Sequence, residues 1–129
     1  MGPPARWAFG DAIIHEADLR SAVGAARVPH DAVLLALRGS IGRWRQHLGA
    51  AEVTSLHLQT VDARDWWIGT PDDPRAVTVR IPAYEVFRAL AGRRSETQVR
   101  AWEWSADPGP YLGAGLPYPF HWSAEDLRD

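Results

Sequence analysis

The chain contains no cysteine and no lysine among its 129 residues, and a single methionine. The first absence excludes a disulfide framework, a cysteine-ligated zinc site and a protein thiol nucleophile, so any thiol chemistry must use a sulfur brought by a cofactor. The second excludes Schiff-base catalysis through a lysine amine, since all 14 basic residues are arginine. An excess of charge is missing too: at a net charge of −2 there is no electrostatic case for binding nucleic acid. No apolar run approaches the ~20 residues needed to span a bilayer, and no basic segment followed by an apolar core opens the chain. A cytoplasmic location without membrane insertion is therefore expected.

What is present is enough apolar material for one ordinary domain: 46% of the residues are hydrophobic and 23% charged, a globular rather than a disordered balance. From Ala5 to about Val23 the positions Trp7, Asp11, Ile14, His15, Asp18 and Ala22 recur at helical spacing. Asp11 and His15 are four apart and Asp18 three further on, so a helix places all three on one face, a spacing suited to a divalent metal held by carboxylate and imidazole. The same spacing suits a surface ion pair worth a few tenths of a kcal/mol. Phe9, Ile13 and Ile14 flank this row with apolar surface, so the helix calls for neighbours on more than one side.

Gly24 to Arg27 reads as a stop and turn, and Asp31 as the N-cap of a second helix over 32–48, closed by Gly49. Its apolar stripe is Val33, Leu37, Ile41, Trp44 and Leu48. The period then changes to two. Ser55 to Val61, Trp66 to Thr70 and Ala76 to Ile81 predict three strands joined by short polar turns, an antiparallel meander with a helix over its inner face. Pro82 opens a helix carrying Tyr84, Phe87 and Leu90 before Gly92. Ser95-Glu96-Thr97-Gln98 fits a capping box for another helix reaching about Trp104. From Ser105 onward the Pro- and Gly-rich stretch predicts an irregular tail whose aromatic residues hold it against the body. The class is α+β, and one boundary falls near 24–28.

The run Gly10-Asp11-Ala12-Ile13-Ile14-His15-Glu16-Ala17-Asp18-Leu19-Arg20 carries a resemblance together with three other segments, Asp65-Trp66-Trp67-Ile68-Gly69-Thr70, Ala89-Leu90-Ala91-Gly92-Arg93-Arg94-Ser95 and Ala101-Trp102-Glu103-Trp104. In combination they resemble the actinobacterial family of mycothiol-dependent maleylpyruvate isomerase-like proteins, over nearly the whole chain. That family joins a DinB-like four-helix bundle, which holds a divalent metal, to a C-terminal domain similar to sterol carrier proteins. The resemblance implies that residues 1–24 match the last bundle helix and 29–129 the C-terminal domain, and that the chain is the C-terminal part of a longer protein or the product of a late start codon.

It further implies that Asp11 and His15 match two metal ligands of the family, whose pattern has glutamate at the first position, so Asp11 offers a shorter carboxylate. Zinc is the expected metal. The family's third ligand, a histidine from an early bundle helix, has no counterpart in this sequence, so little or no catalysis by the chain alone is expected. Asp18 is read either as a carboxylate that orients His15 or caps nearby backbone, or as a surface residue. In the complete family protein the metal binds the thiolate of mycothiol, which adds to a small electrophile; addition, bond rotation and elimination constitute an isomerisation.

His30, His47, His57 and His121 are scattered over other elements and read as surface or internally satisfied groups rather than replacement ligands. Two readings from other classes stand beside the enzyme. One is a non-catalytic module binding a small apolar ligand among Trp66, Trp67, Tyr84, Phe87 and Trp102, rings that equally suit an ordinary core. The other is an interaction surface on the first helix, covered by a partner or a second copy of the chain.

Overall fold

The computed structural model describes residues 3–129, with side chains from Gly10 onward. Trp7 and Phe9, named above for the first helix, lie outside the described side chains. Helix α1 (Pro3–Ala22) is followed by α2 (His30–Ala50), strands β1 (Leu56–Thr60), β2 (Asp65–Ile68) and β3 (Val77–Ile81), helices α3 (Ala83–Leu90) and α4 (Glu96–Arg100), strand β4 (Glu103–Trp104) and the single turn α5 (Gly109–Leu112). The α+β class is as expected. No helix among the described residues is long and apolar enough to cross a membrane.

The stripe of α2 forms as its period requires: Val33, Leu37, Ile41, Trp44 and Leu48 are all buried. They meet the inward residues of the sheet, Leu56, Leu58, Trp66, Ile68 and Val79, in one core that also takes Val86, Phe87 and Leu90 of α3. Ile13, Ile14 and Ala17 of α1 join that same core. Where α2 begins and ends differs from expectation. Pro29 occupies the N-cap and Asp31 sits inside the first turn, where its charge faces the helix N-terminus without capping it, and Gly49 lies within the last turn before Ala51 caps the end.

The strand order is β2-β1-β3-β4, so the sheet is mixed and not the expected meander. β1 pairs antiparallel with β2 and parallel with β3, with Leu58 opposite both Trp66 and Val79. Residues 69–76 carry the chain past the end of β1 to its other side, a step of two strand spacings, about 10 Å, well within the reach of eight residues. The helix expected to reach Trp104 stops at Arg100, and Glu103–Trp104 pairs with Arg80 and Val79 at the edge of β3.

Two local devices hold α3 in place. The carboxylate of Asp62, just beyond β1, accepts from the backbone N–H of Ala83 at 2.8 Å, placing negative charge at the helix N-terminus. At the other end Gly92 adopts φ 77°, its N–H donating to the Ala89 carbonyl at 3.0 Å while the Arg93 N–H donates to that of Arg88 at 2.8 Å. A Cβ at Gly92 would lie 2.7 Å from the His121 carbonyl oxygen, so the tight approach of the tail here requires glycine as much as the backbone angle does. The predicted capping box of α4 is formed: Ser95 Oγ accepts from Gln98 N at 3.1 Å, and the Gln98 side chain accepts from Ser95 N at 2.9 Å.

The tail is held against the body, as its aromatics suggested. Tyr111, Leu112 and Leu116 are buried, the Tyr111 hydroxyl donates to the Thr54 carbonyl at 2.8 Å, and the Trp122 indole N–H donates to Leu112 at 3.0 Å.

Candidate functional site

Helix α1 has two different sides, and each carries part of the row singled out in the sequence. Ile13, Ile14 and Ala17 turn inward, whereas Asp11 and His15 face solvent with 64% and 68% of their side chains exposed. Asp11 Oδ2 and His15 Nε2 are 3.3 Å apart. That is longer than a usual N–H···O hydrogen bond. It is close to the edge of a tetrahedron, about 3.4 Å, whose centre bonds carboxylate oxygen and imidazole nitrogen at the distances zinc prefers. The shorter Asp11 carboxylate therefore still reaches the spacing that two metal ligands need. No group of three or more His, Asp or Glu that could hold a metal occurs among the described residues.

Asp18 bonds the body and not His15. At about 100° per residue it stays within about 20° of Asp11, between Ile14 and His15, and it is the arginines of the following elements, taking both its oxygens, that turn it away from the row. Arg88 of α3 donates to Oδ1 at 2.8 Å, and Arg93 donates to Oδ1 at 3.2 Å and to Oδ2 at 2.7 Å. Burial disfavours the Asp18 carboxylate, but the hydrogen bonds and charges of Arg93 and Arg88 outweigh it and hold the group below its ordinary pKa. Its observed role is to fix α1 onto α3 and the loop after it.

The network continues through the body. Arg88 also reaches Asp129 at 2.7 Å, and Arg94 binds Glu85 at 2.8 Å and Asp129 at 2.7 Å. The Arg88 and Arg94 side chains are only 5% and 3% exposed. Burial alone would make Arg94 easier to deprotonate; its bonds to Glu85 and Asp129 reverse that and hold its pKa above the ordinary value. Burial likewise opposes the Asp129 carboxylate, and Arg94 and Arg88 hold it ionised, below its usual range. These arginines were not expected as a cluster. The signal was Arg88 in the midst of Val86, Phe87, Ala89 and Leu90, since a charged group inside an apolar run must find a carboxylate when it is buried.

The other histidines are engaged or exposed. His57 bonds Asp65 at 2.8 Å and stacks on Trp67 with ring centroids 4.1 Å apart, and His47 bonds the Ala114 carbonyl at 2.6 Å. His30 and His121 are exposed. The five rings expected to line an apolar site fall on opposite sides of the sheet. Trp66 and Phe87 are part of the core, while Trp67 points outward onto His57, as successive residues of a strand must. The Tyr84 hydroxyl donates to Asp129 at 3.2 Å. Trp102 packs partly buried against the core with Trp104 alongside. No protein-family model, curated protein or solved structure matches the chain.

Proposed function

We propose that this chain supplies two ligands, Asp11 and His15, to a zinc centre of a thiol-dependent isomerase or transferase of the maleylpyruvate isomerase-like kind, with mycothiol as thiol and a small electrophile as substrate. The observation that carries the reading is the 3.3 Å carboxylate–imidazole pair on the open side of a helix whose other side is locked to the body. A bound divalent metal would lower the pKa of a coordinated thiol and so supply a thiolate at neutral pH. The chain's own part is to present the two donors one turn apart on an open face, which the packing of Ile13, Ile14 and Ala17 and the Asp18–Arg93 bonds achieve by fixing the register of α1. Further ligands would come from groups packed on the outer side of α1. Leu19 of α1 and Val23 just beyond it, both exposed, suit such a covering and equally favour the second reading, a non-catalytic module that binds a partner or a second copy there. We take the protein to be cytoplasmic.

Equilibrium dialysis against zinc tests the assignment. The chain should bind the metal saturably, and His15→Ala should weaken binding by about tenfold or more, since losing a ligand costs at least what losing a supporting contact does. His15 is exposed, so the variant should keep its far-ultraviolet circular dichroism. Equal zinc binding by the two folded proteins would remove Asp11 and His15 from any metal role.

A further inference from the structure

Residues 123–129 are attached to the body in an unusual way. Positions 124–128 are exposed, including Leu127 at 39%, and no apolar side chain of the segment is buried. Its attachments are polar: Ser123 N–H donates to Arg94 O at 2.9 Å, Ser95 Oγ donates to Asp126, and Gln98 Nε2 donates to Leu127 O at 2.7 Å. The one deeply inserted group is the Asp129 carboxylate, 7% exposed between Arg88 and Arg94. A segment with few buried apolar contacts belongs to the parts of a fold that open most readily.

The socket is built to outlast that opening. When Asp129 leaves, Arg88 keeps Asp18 and Arg94 keeps Glu85, so neither buried guanidinium is stranded. Three guanidiniums, those of Arg88, Arg93 and Arg94, then face two carboxylates, leaving one positive charge in excess. Arg88 Nε is buried with no hydrogen-bond partner, a donor still unused. Arg27 lies with its guanidinium 4.1 Å from the Tyr84 ring centroid and donates to the main-chain oxygen of Asp129. A depression of about 230 Å³ beside the carboxylate is bordered by Glu85, Arg94 and Gln98 of the body and by Leu127, Arg128 and Asp129 of the segment, so it widens on the Arg94 side when the segment leaves.

We propose that Arg88 and Arg94 form a carboxylate-binding site whose occupant, Asp129, is a displaceable stand-in, so that a small carboxylate ligand exchanges for it and releases residues 123–129. Arg88 and Arg94 each give one nitrogen to Asp129, one to either carboxylate oxygen, so together they suit a planar carboxylate better than a spherical anion. Asp129 presents its side-chain carboxyl and its main-chain oxygen two carbons apart, to Arg88 and Arg94 on one side and Arg27 on the other. Succinate has that skeleton and is the probe of choice. The site is independent of Asp11 and His15.

The test compares the full chain with Asp129→Asn, whose amide turns an NH2 toward the arginines and so opens the segment. A site held closed more than about nine-tenths of the time gains about tenfold or more in apparent affinity once freed. Isothermal titration should therefore show saturable succinate binding to Asp129→Asn, at least tenfold tighter than to the unaltered chain. In the unaltered chain, succinate but not sodium chloride of equal ionic strength should speed amide exchange at Ser123. Asp126→Ala, which loosens the segment at Ser95 without touching the socket, should also bind succinate more tightly than the unaltered chain, and it decides the matter if Asp129→Asn does not fold. A folded variant that binds succinate no better than the unaltered chain, or responds equally to chloride, overturns the proposal.

Discussion

Arg88→Ala is expected to lower the stability of the protein by about 3–5 kcal/mol, the usual result of removing one partner from a buried ion pair. The Arg88 guanidinium joins Asp18 of α1 at 2.8 Å to Asp129 at 2.7 Å, and its side chain is almost wholly buried. Without it, Asp129 retains Arg94 and Asp18 retains Arg93, so neither carboxylate is left without a cation. That partial relief favours the lower end of the range. The loss arises from two carboxylates sharing less positive charge in a poorly solvated place, together with the space left by a side chain that is almost wholly buried. Urea unfolding at neutral pH followed by circular dichroism measures it. Arg100→Ala is the comparison: Arg100 is half exposed and 3.9 Å from Glu96, and its removal should change stability by no more than about 0.5 kcal/mol. Equal effects of the two substitutions would mean that the Asp18–Arg88–Asp129 bridge does not tie α1 and the tail to α3.

Trp44→Ala should cost a similar amount, about 3–5 kcal/mol, for a different reason. Trp44 is the largest fully buried side chain among the described residues and sits on the stripe by which α2 covers the sheet. Its removal takes a large apolar surface out of the core and leaves a cavity that Leu37, Ile41 and Leu48 can only partly fill. The indole N–H is buried without a partner, so Trp44→Phe discards an unsatisfied donor along with the lost area and should cost much less than alanine. Thermal unfolding of both variants separates the contributions of volume and hydrogen bonding. Similar losses for phenylalanine and alanine would mean that the nitrogen is bonded after all.

Elements specified by neighbours in sequence were legible in it. The stripe of α2, the three longer strands, the Pro82 start of α3 and the Ser95–Gln98 capping box each follow from residues within a few positions of one another. Elements specified from a distance were not. Short polar turns around 62–65 and 71–74 suited a meander, and nothing local says that β3 passes β2 and pairs with the far edge of β1. β4 has two residues, too few to show a period, and its place is set by Arg80 and Val79, more than twenty positions earlier. Asp31 looks like a cap until Pro29, with its fixed φ, takes that position.

The same division runs through the candidate site. Asp11 and His15 are one helical turn apart, so their meeting was implied by spacing alone. Asp18 shared that spacing, yet its partners Arg88 and Arg93 lie 70 and 75 residues away, and they draw it out of the row. The fold thus separates what the helical wheel placed together: one carboxylate secures α1 to the body, and the other stays beside the imidazole, facing out.

If Asp11 and His15 hold a metal to which an external thiol can bind, cobalt(II) makes that bond visible, because the chain has no cysteine and any thiolate-to-cobalt absorption must come from added thiol. With cobalt and a small thiol added, and the protein-free spectrum subtracted, the chain should show a near-ultraviolet thiolate-to-cobalt band that His15→Ala loses. A band of equal strength in both proteins, or none in either, would mean that Asp11 and His15 hold no thiol-binding metal.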